Sequence, residues 1–396
     1  MFIFGLIRKN MSKRTQKSSE KGQKVTNWTE QEGLMYLDMG SEPSNLVLAM
    51  DLDSTLICTK SGKTFAQSQD DWKLLYENIP KVLKEYPDHR KVIISNQAGI
   101  EKGKQDKKAW QNKVQKVVQA LDEPVLVMAS IASNHFRKPC TGMWDYFASN
   151  LNGDQEVDLS NSFYIGDAAG RPAKGTRKKD FNDTDLKFAL NVGLKFQTPE
   201  QFFLGQKETV PKPQFDPKQI KKSGGALKNG VTVRDIQECI IFVGSPASGK
   251  STFWKTHLTD YVRVNNDTLK TKARCLKEME KALQAGKSCV IDNTNPTEAV
   301  RSDYIRMAQN YDVPVRCFIF KVTKDVAFHL NALRGVNKHR QQLSGKVPAM
   351  PIHKFFKDYE SPSLKEGFEE IQEVDLVAGP FENEQDEKLF FSFVHS

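Results

Sequence analysis

Two carboxylates one residue apart, Asp51 and Asp53, follow directly on an apolar run, Leu46 to Met50, in the stretch AMDLDSTLI. The run reads as a buried strand, and strand interiors disfavour Asp, so the pair marks a strand end with a chemical task. Flanking Leu52, both side chains can lie on one side. One carboxylate can attack phosphorus and form an aspartyl-phosphate. The other can protonate the leaving oxygen and later activate water. Such chemistry needs a hydroxyl and a lysine to hold the phosphate, and another acid for a divalent cation. The chain supplies Ser95 at the end of KVIISNQ, Lys138 in FRKPCTGMW, Asp167 in FYIGDAAGR, then Asp183 and Asp185 in DFNDTD. Any one of these alone reads as a cap or turn residue; the ordered set reads as a site.

A second strand end carries a different signature. GSPASGKS, from Gly244 to Ser251, matches GxxxxGKS/T between an apolar strand and a helix starting at Lys250. Glycines let backbone N–H groups wrap a phosphate, the lysine reaches the β and γ phosphates, and the serine hydroxyl ligates Mg²⁺. The helix N-terminus favours anions. Gly244, Ser248, Gly249, Lys250, Ser251 and Thr252 are therefore the expected ATP-binding set, with Asp292 at the end of SCVID as a further Mg²⁺ residue. Asp267 in VNNDTL would accept a proton from an attacking hydroxyl; the competing reading is an N-cap for a helix starting near Thr268. Arg334, Lys338, His339 and Arg340 fall in a loop-like basic stretch, RGVNKHRQQLSGK. It reads either as a lid over a transferring phosphoryl group or as a solvated loop.

These residues need two frameworks. At 396 residues the chain is long for one core. From about Asn45 to Phe203 apolar strands (91–95, 124–130, 162–166) alternate with helices, one of which places Trp110, Val114, Val117, Val118 and Leu121 on one face. After a stretch rich in Pro, Lys and Gly at 205–230, the rhythm restarts at 238–243, 288–292 and 315–322. The expectation is α/β throughout, with mainly parallel sheets and ligands at their carboxyl ends. The boundaries are a disordered basic tail at 1–26, a first domain at 27–205, a linker at 206–234 and a second domain at 235–396. The tail, acid-free before Glu20, leaves a mitochondrial transit segment or a start at Met11 open. The six cysteines form no CxxC pair, which excludes a zinc ribbon or redox motif and fits a reducing compartment. The apolar runs are too short to span a bilayer.

DLDST, ISNQ, RKP and GDAAGR resemble the haloacid dehalogenase phosphatases. With SGKTF, DDW, NQAGIEKGK, RKKDF, VIDNTNP and the phosphatase-before-kinase order, the chain resembles the eukaryotic polynucleotide kinase 3′-phosphatases from about Trp28 onward. The resemblance implies a haloacid dehalogenase-like phosphatase domain followed by a P-loop kinase domain. It implies an enzyme of DNA end repair that hydrolyses 3′-phosphates and moves the ATP γ-phosphate to 5′-hydroxyls. By position, Asp51 is the nucleophile and Asp53 the general acid/base; Ser95 and Lys138 hold the phosphate. Asp51, Asp53 (through its backbone carbonyl) and Asp167 bind Mg²⁺. Asp267 is the kinase base and Arg334, in HLNALR, the lid arginine. Ser54 stands where the family often has Gly, with little effect expected, and Ser95 where Thr is common. Some forty residues before the phosphatase are too few for a forkhead-associated β-sandwich. Repair-protein partners would then be reached by another route. A nuclear monomer is expected, with mitochondria as a second location.

A net charge of +9 suits a polyanionic substrate. Lys102, Lys104, Lys107, Lys108, Arg171, Lys174, Arg177, Lys178 and Lys179 are expected to contact the phosphate backbone. Trp144 and Phe181 would stack on a terminal base or else belong to the core. The competing functions are a fused kinase and phosphatase acting on a free nucleotide or small metabolite, a catalytically inactive nucleic-acid-binding scaffold, and an RNA rather than DNA end-healer.

Overall fold

The computed structural model describes residues 27–64, 66–175, 177–220, 233–336, 345–376, 378–379 and 381–395. The basic tail at 1–26 lies outside the described residues, as do Lys338, His339 and Arg340.

Each expected strand forms, and each ends within about two residues of its reading. In the first half the strands are β1 (Thr29–Gln31), β2 (Leu34–Asp38), β3 (Val47–Met50), β4 (Ile57–Cys58), β5 (Lys73–Leu74), β6 (Arg90–Asn96), β7 (Val125–Ser130), β8 (Phe163–Ile165) and β9 (Lys195–Gln197). Seven of them make one sheet in the order β1-β2-β7-β6-β3-β8-β9. It is parallel from β7 to β9, with β1 and β2 as an antiparallel edge that sequence pattern did not reveal. β4 and β5 form a separate hairpin just after the aspartate pair.

Side-chain alternation sorts the central strands into two cores. Leu48, Met50, Ile93, Val125 and Val127 face one way, with the helix Lys107–Leu121 laid on them through Trp110, Val114, Val117, Val118 and Leu121. Val47, Ala49, Val92, Ile94, Leu126 and Met128 face the other, against Met143, Trp144, Phe147 and Phe188. Trp144 is thus a core residue.

The second half has β10 (Cys239–Val243), β11 (Val262–Val264), β12 (Cys289–Ile291), β13 (Val315–Lys321) and β14 (Glu370–Asp375). All pair in parallel, in the order β11-β12-β10-β13-β14. Cys239, Ile241 and Val243 feed one core while Ile240 and Phe242 feed the other. The described part of the connecting stretch, up to Ile220, packs against both halves. Glu208 pairs with Arg171 and Arg177, and the Phe215 ring lies 5.5 Å from that of His329. Ile220 joins an apolar cluster that unites Cys140 with Ala247, Leu330, Leu333, Phe390 and Val394.

Candidate active sites

Parallel register gathers the first site. Met50 sits opposite Ile93 of β6 and Ile165 of β8. Asp51 therefore emerges level with Ile94 and Gly166, next to Ser95 on one side and Asp167 on the other. Residues far apart in sequence become neighbours because the three strands stop at one edge.

At the centre lies Lys138, 4% exposed. Its Nζ donates to Asp51 Oδ1, Asp185 Oδ1 and the Tyr164 hydroxyl, each at 2.7 Å. Asp51, Asp167 and Asp185 each offer a carboxylate oxygen, all within 4.8 Å of one another. Three acids around one ammonium leave an excess of negative charge in a poorly solvated place. Burial pushes the Asp51 carboxyl up to about 7, the nearby Asp185 adding to the rise and Lys138 opposing it. Burial and the repulsion of Asp185 and Asp51 also hold Asp167 well above the usual carboxylate range. Burial works against charge on Lys138, but Asp185 and Asp51 outweigh it and hold the ammonium above its ordinary value. The donor set is all hard oxygen, which suits Mg²⁺, and the excess charge is what a divalent cation would neutralise. Asp185 completes this trio, where the resemblance had supplied Asp53. The Asp53 carboxylate is instead half exposed and held by Gln97 Nε2 at 2.9 Å and Lys113 Nζ at 3.3 Å.

Local structure explains these positions. Asp185 enters through Gly166: a Cβ there would lie 2.5 Å from the Asp185 carboxyl. Ala168 N–H donates to Asp185 Oδ2 at 3.1 Å. Thr55, fully buried, accepts from the Asp167 N–H at 3.1 Å. Gln97 Nε2 also donates to Ser95 Oγ at 2.8 Å, so that hydroxyl keeps a proton to donate. Asp183 precedes the helix Thr184–Val192 and pairs with Lys187 at 3.0 Å, apart from the acid trio. Thr55, Gln97, Lys113 and Tyr164 were not expected from sequence. A buried lysine at helix spacing from Trp110 and Val117 was the one readable hint, for Lys113.

The basic residues near this site divide. Arg171 is 2% exposed and ion-paired to Asp180, Glu200 and Glu208, so it holds the loop together and is not a surface phosphate contact. Arg177 pairs with Asp180 and Glu208, and Lys107 with Glu30. Phe181 is 92% exposed and lines the cleft over the acids, outside any core.

The second site follows the same edge logic. Ile241 pairs with Ile291, so the loop after Val243 and Asp292 after Ile291 share one sheet edge. The helix Lys250–His257 starts there, and Gly249, at φ +95°, makes the entry turn. Gly244 has no room for a side chain: a Cβ would lie 2.8 Å from Ser248 Oγ and 2.9 Å from Phe320 Cβ. Lys250 folds back on its own loop, donating to Gly244 O at 2.8 Å and Ser245 O at 2.7 Å. Burial lowers its pKa to about 8; Arg334 adds to the fall, while Asp292 and Asp267 oppose it. Ser251 Oγ donates to Asp292 Oδ2 at 2.8 Å, and the other Asp292 oxygen is buried without a hydrogen-bond partner. A hydroxyl beside a buried, half-satisfied carboxylate fits Mg²⁺. Arg263, unexpected from sequence, bonds both Ser251 Oγ and Asp292 Oδ2. Thr252 is exposed in the first turn of the helix.

One competing reading falls and one expectation changes. Asp267 is not a cap: the short helix Asn266–Leu269 begins before Thr268 and is capped by Asn265, whose side chain accepts from Thr268 N–H at 3.2 Å. Asp267 sits exposed in the first turn. Arg334 lies not in a loop but near the end of the helix Lys324–Val336.

Comparison with known proteins agrees with this division. A family model described as polynucleotide kinase 3 phosphatase matches residues 46–203, and one described as an AAA domain matches residues 239–349. A bifunctional polynucleotide phosphatase/kinase of Schizosaccharomyces pombe is 39% identical over 333 residues, covering 83% of this chain and 79% of its own length. A polynucleotide 3′-phosphatase of Saccharomyces cerevisiae is 30% identical over 214 residues, covering 40% of this chain and 87% of its own. An acid-rich phosphatase edge and a P-loop edge on one polypeptide, related along most of its length to an enzyme with both, place this chain in the bifunctional polynucleotide phosphatase/kinase family.

Proposed function

We propose that the protein heals DNA strand ends, removing a 3′-phosphate at the first site and phosphorylating a 5′-hydroxyl at the second, so that breaks become ligatable. The observation that carries this is the Lys138–Asp51 pair, buried at one sheet edge, on the same chain as a complete P-loop.

At the first site Asp51 attacks phosphorus, and the bond to the 3′-oxygen breaks as Asp53 donates its proton. Asp53 then takes a proton from water, which attacks the aspartyl-phosphate and restores Asp51 with release of phosphate. Lys138 and Ser95 neutralise and orient the transferring group. Asp51, Asp167, Asp185 and the Asp53 carbonyl would hold Mg²⁺, which supplies charge neutralisation at phosphorus. At the second site Lys250 leaves the loop carbonyls for the β and γ phosphates of ATP. Asp267 accepts the proton of the attacking 5′-hydroxyl, and Arg334 offsets charge on the γ-phosphoryl. Ser251 and Asp292 would hold the kinase Mg²⁺. The basic balance of the chain supports a nuclear polyanion as substrate.

The test is one DNA oligonucleotide carrying a 5′-hydroxyl and a 3′-phosphate, incubated with ATP and Mg²⁺ and resolved on a gel. Loss of the 3′-phosphate with gain of a 5′-phosphate is expected. Turnover of phosphorylated metabolites with none on DNA would replace this reading by a small-substrate one.

A further inference from the structure

The phosphatase site is not built by the phosphatase half alone. A cleft of about 480 Å³ opens over the acids. Asp51, Lys138 and Asp185 form its floor, and Lys346, Val394 and His395 of the second half stand along one side.

The C-terminal part of that wall, at Phe393–His395, is tied to the first half. Asn191, on the helix that carries Asp185, donates to Phe393 O and accepts from Phe393 N–H, both at 2.8 Å. One side-chain amide thus pairs with the segment as a neighbouring strand would. The same Asn191 amide donates to Pro139 O at 2.8 Å, next to Lys138. Lys187 Nζ donates to His395 O at 3.2 Å and lies 5.6 Å from the Phe393 ring centroid. Val394 joins Cys140, Leu333 and Phe390 in the apolar cluster that spans the two halves.

We propose that this kinase-side wall receives the nucleotide chain leading to the 3′-phosphate, with Lys346 and His395 contacting its backbone. The inference rests on the assignment of Asp51 and Lys138 as the phosphatase centre. A polynucleotide whose terminal phosphate reaches the floor must leave along the cleft, while an aryl phosphate ends at the floor. The floor's excess of carboxylates repels a polyanion, and Lys346 offsets that repulsion where the chain passes. The second half is then a substrate-binding element of the first reaction as well as the catalyst of the second.

The experiment compares wild type with the Lys346→Ala/His395→Ala double variant, without ATP, on a 3′-phosphorylated single-stranded oligonucleotide and on p-nitrophenyl phosphate. The expected result is an oligonucleotide KM raised about tenfold with kcat within about twofold, and unchanged hydrolysis of the aryl phosphate. The slope of log KM against log salt should flatten by about 0.7 for each backbone phosphate that the variant no longer neutralises. Lys346→Arg should restore the oligonucleotide KM and Lys346→Glu should raise it further. Equal losses on both substrates would make the wall merely structural, and an unchanged oligonucleotide KM would remove it from binding; either result overturns the proposal. Asp51→Asn, run alongside, tests the underlying assignment separately, because it should abolish turnover of both substrates.

Discussion

Lys138 and Lys250 are both buried lysines at the carboxyl edge of a parallel sheet, each assigned to hold a phosphate, yet their surroundings drive them in opposite directions. Lys138 lies among carboxylates, and its ammonium is held above its ordinary pKa. Lys250 lies among neutral carbonyls, and burial brings it down to about 8. Burial opposes charge in both cases; the neighbours decide the outcome. The phosphatase edge is therefore a charged cluster suited to a cation. The P-loop edge is a cradle whose lysine holds its proton less tightly among carbonyls than it would against phosphates.

The sharpest way to break this comparison is to cut each site separately. Asp51→Asn should lower 3′-dephosphorylation by about 10⁴-fold or more and spare 5′-phosphorylation, while Lys250→Ala should do the reverse. Loss of both activities from either change in a folded protein would refute two independent sites. Next in size is Asp185→Asn. It removes one of the trio and one of Lys138's two carboxylate partners, so phosphatase kcat should fall about 10- to 100-fold. An unchanged Mg²⁺ requirement in that variant would take Asp185 out of the cation set.

Arg263 sharpens the contrast at the second site, because its guanidinium bonds the two side chains expected to meet Mg²⁺. Arg263→Gln should lower the Mg²⁺ concentration for half-maximal kinase activity by about tenfold; a higher requirement would show that Arg263 helps the cation instead. A pH series tests the first site. Asp51, raised to about 7, keeps its proton to that pH in the metal-free protein, and a cation must displace the proton. Without metal, its contribution to folding stability falls as pH rises from the ordinary carboxyl value through about 7. The upshift in Tm caused by Mg²⁺ should accordingly grow from about pH 6 to about pH 8, and Asp51→Asn should reduce that growth to the part that the raised Asp167 carboxyl contributes. The smallest effect concerns Ser54, which sits at φ +63°, a conformation that favours glycine. Ser54→Gly should stabilise the protein by about 1 kcal/mol, raising Tm by roughly 2–4 °C. No upshift would mean that the extra freedom glycine gives the unfolded chain cancels the strain it relieves at this position.

Legibility followed burial, with one exception: Leu34–Asp38 is buried along most of its length and was not read as a strand. Strands entirely inside, such as Val47–Met50 and Cys239–Val243, announce themselves as apolar runs. The edge strands Thr29–Gln31 and Glu370–Asp375 are partly exposed and too polar to stand out. Catalytic candidates at strand ends were readable because an acid there contradicts the run before it. Thr55, Gln97, Tyr164 and Asp185 were harder to place because their importance lies in what they touch. Tyr164 looks like any strand aromatic until its hydroxyl meets Lys138. Arg171 misled for the converse reason: a basic run in sequence does not show that its first member is buried among three acids.

What the sequence alone determined is the pair of chemistries. Asp51-Leu52-Asp53 and the Gly244–Ser251 loop are short-range patterns whose geometry follows from one strand and one turn. Only the tertiary structure decided which acids share a cation-sized space, that Arg171 and Arg177 are paired with acids of their own loop and its neighbours, and that residues of the kinase half line the phosphatase cleft. Those facts depend on strand register and on contacts between residues up to some two hundred positions apart, such as Asn191 with Phe393. No local pattern encodes a distance of that kind, because it is set by how the two sheets and their helices close around shared cores.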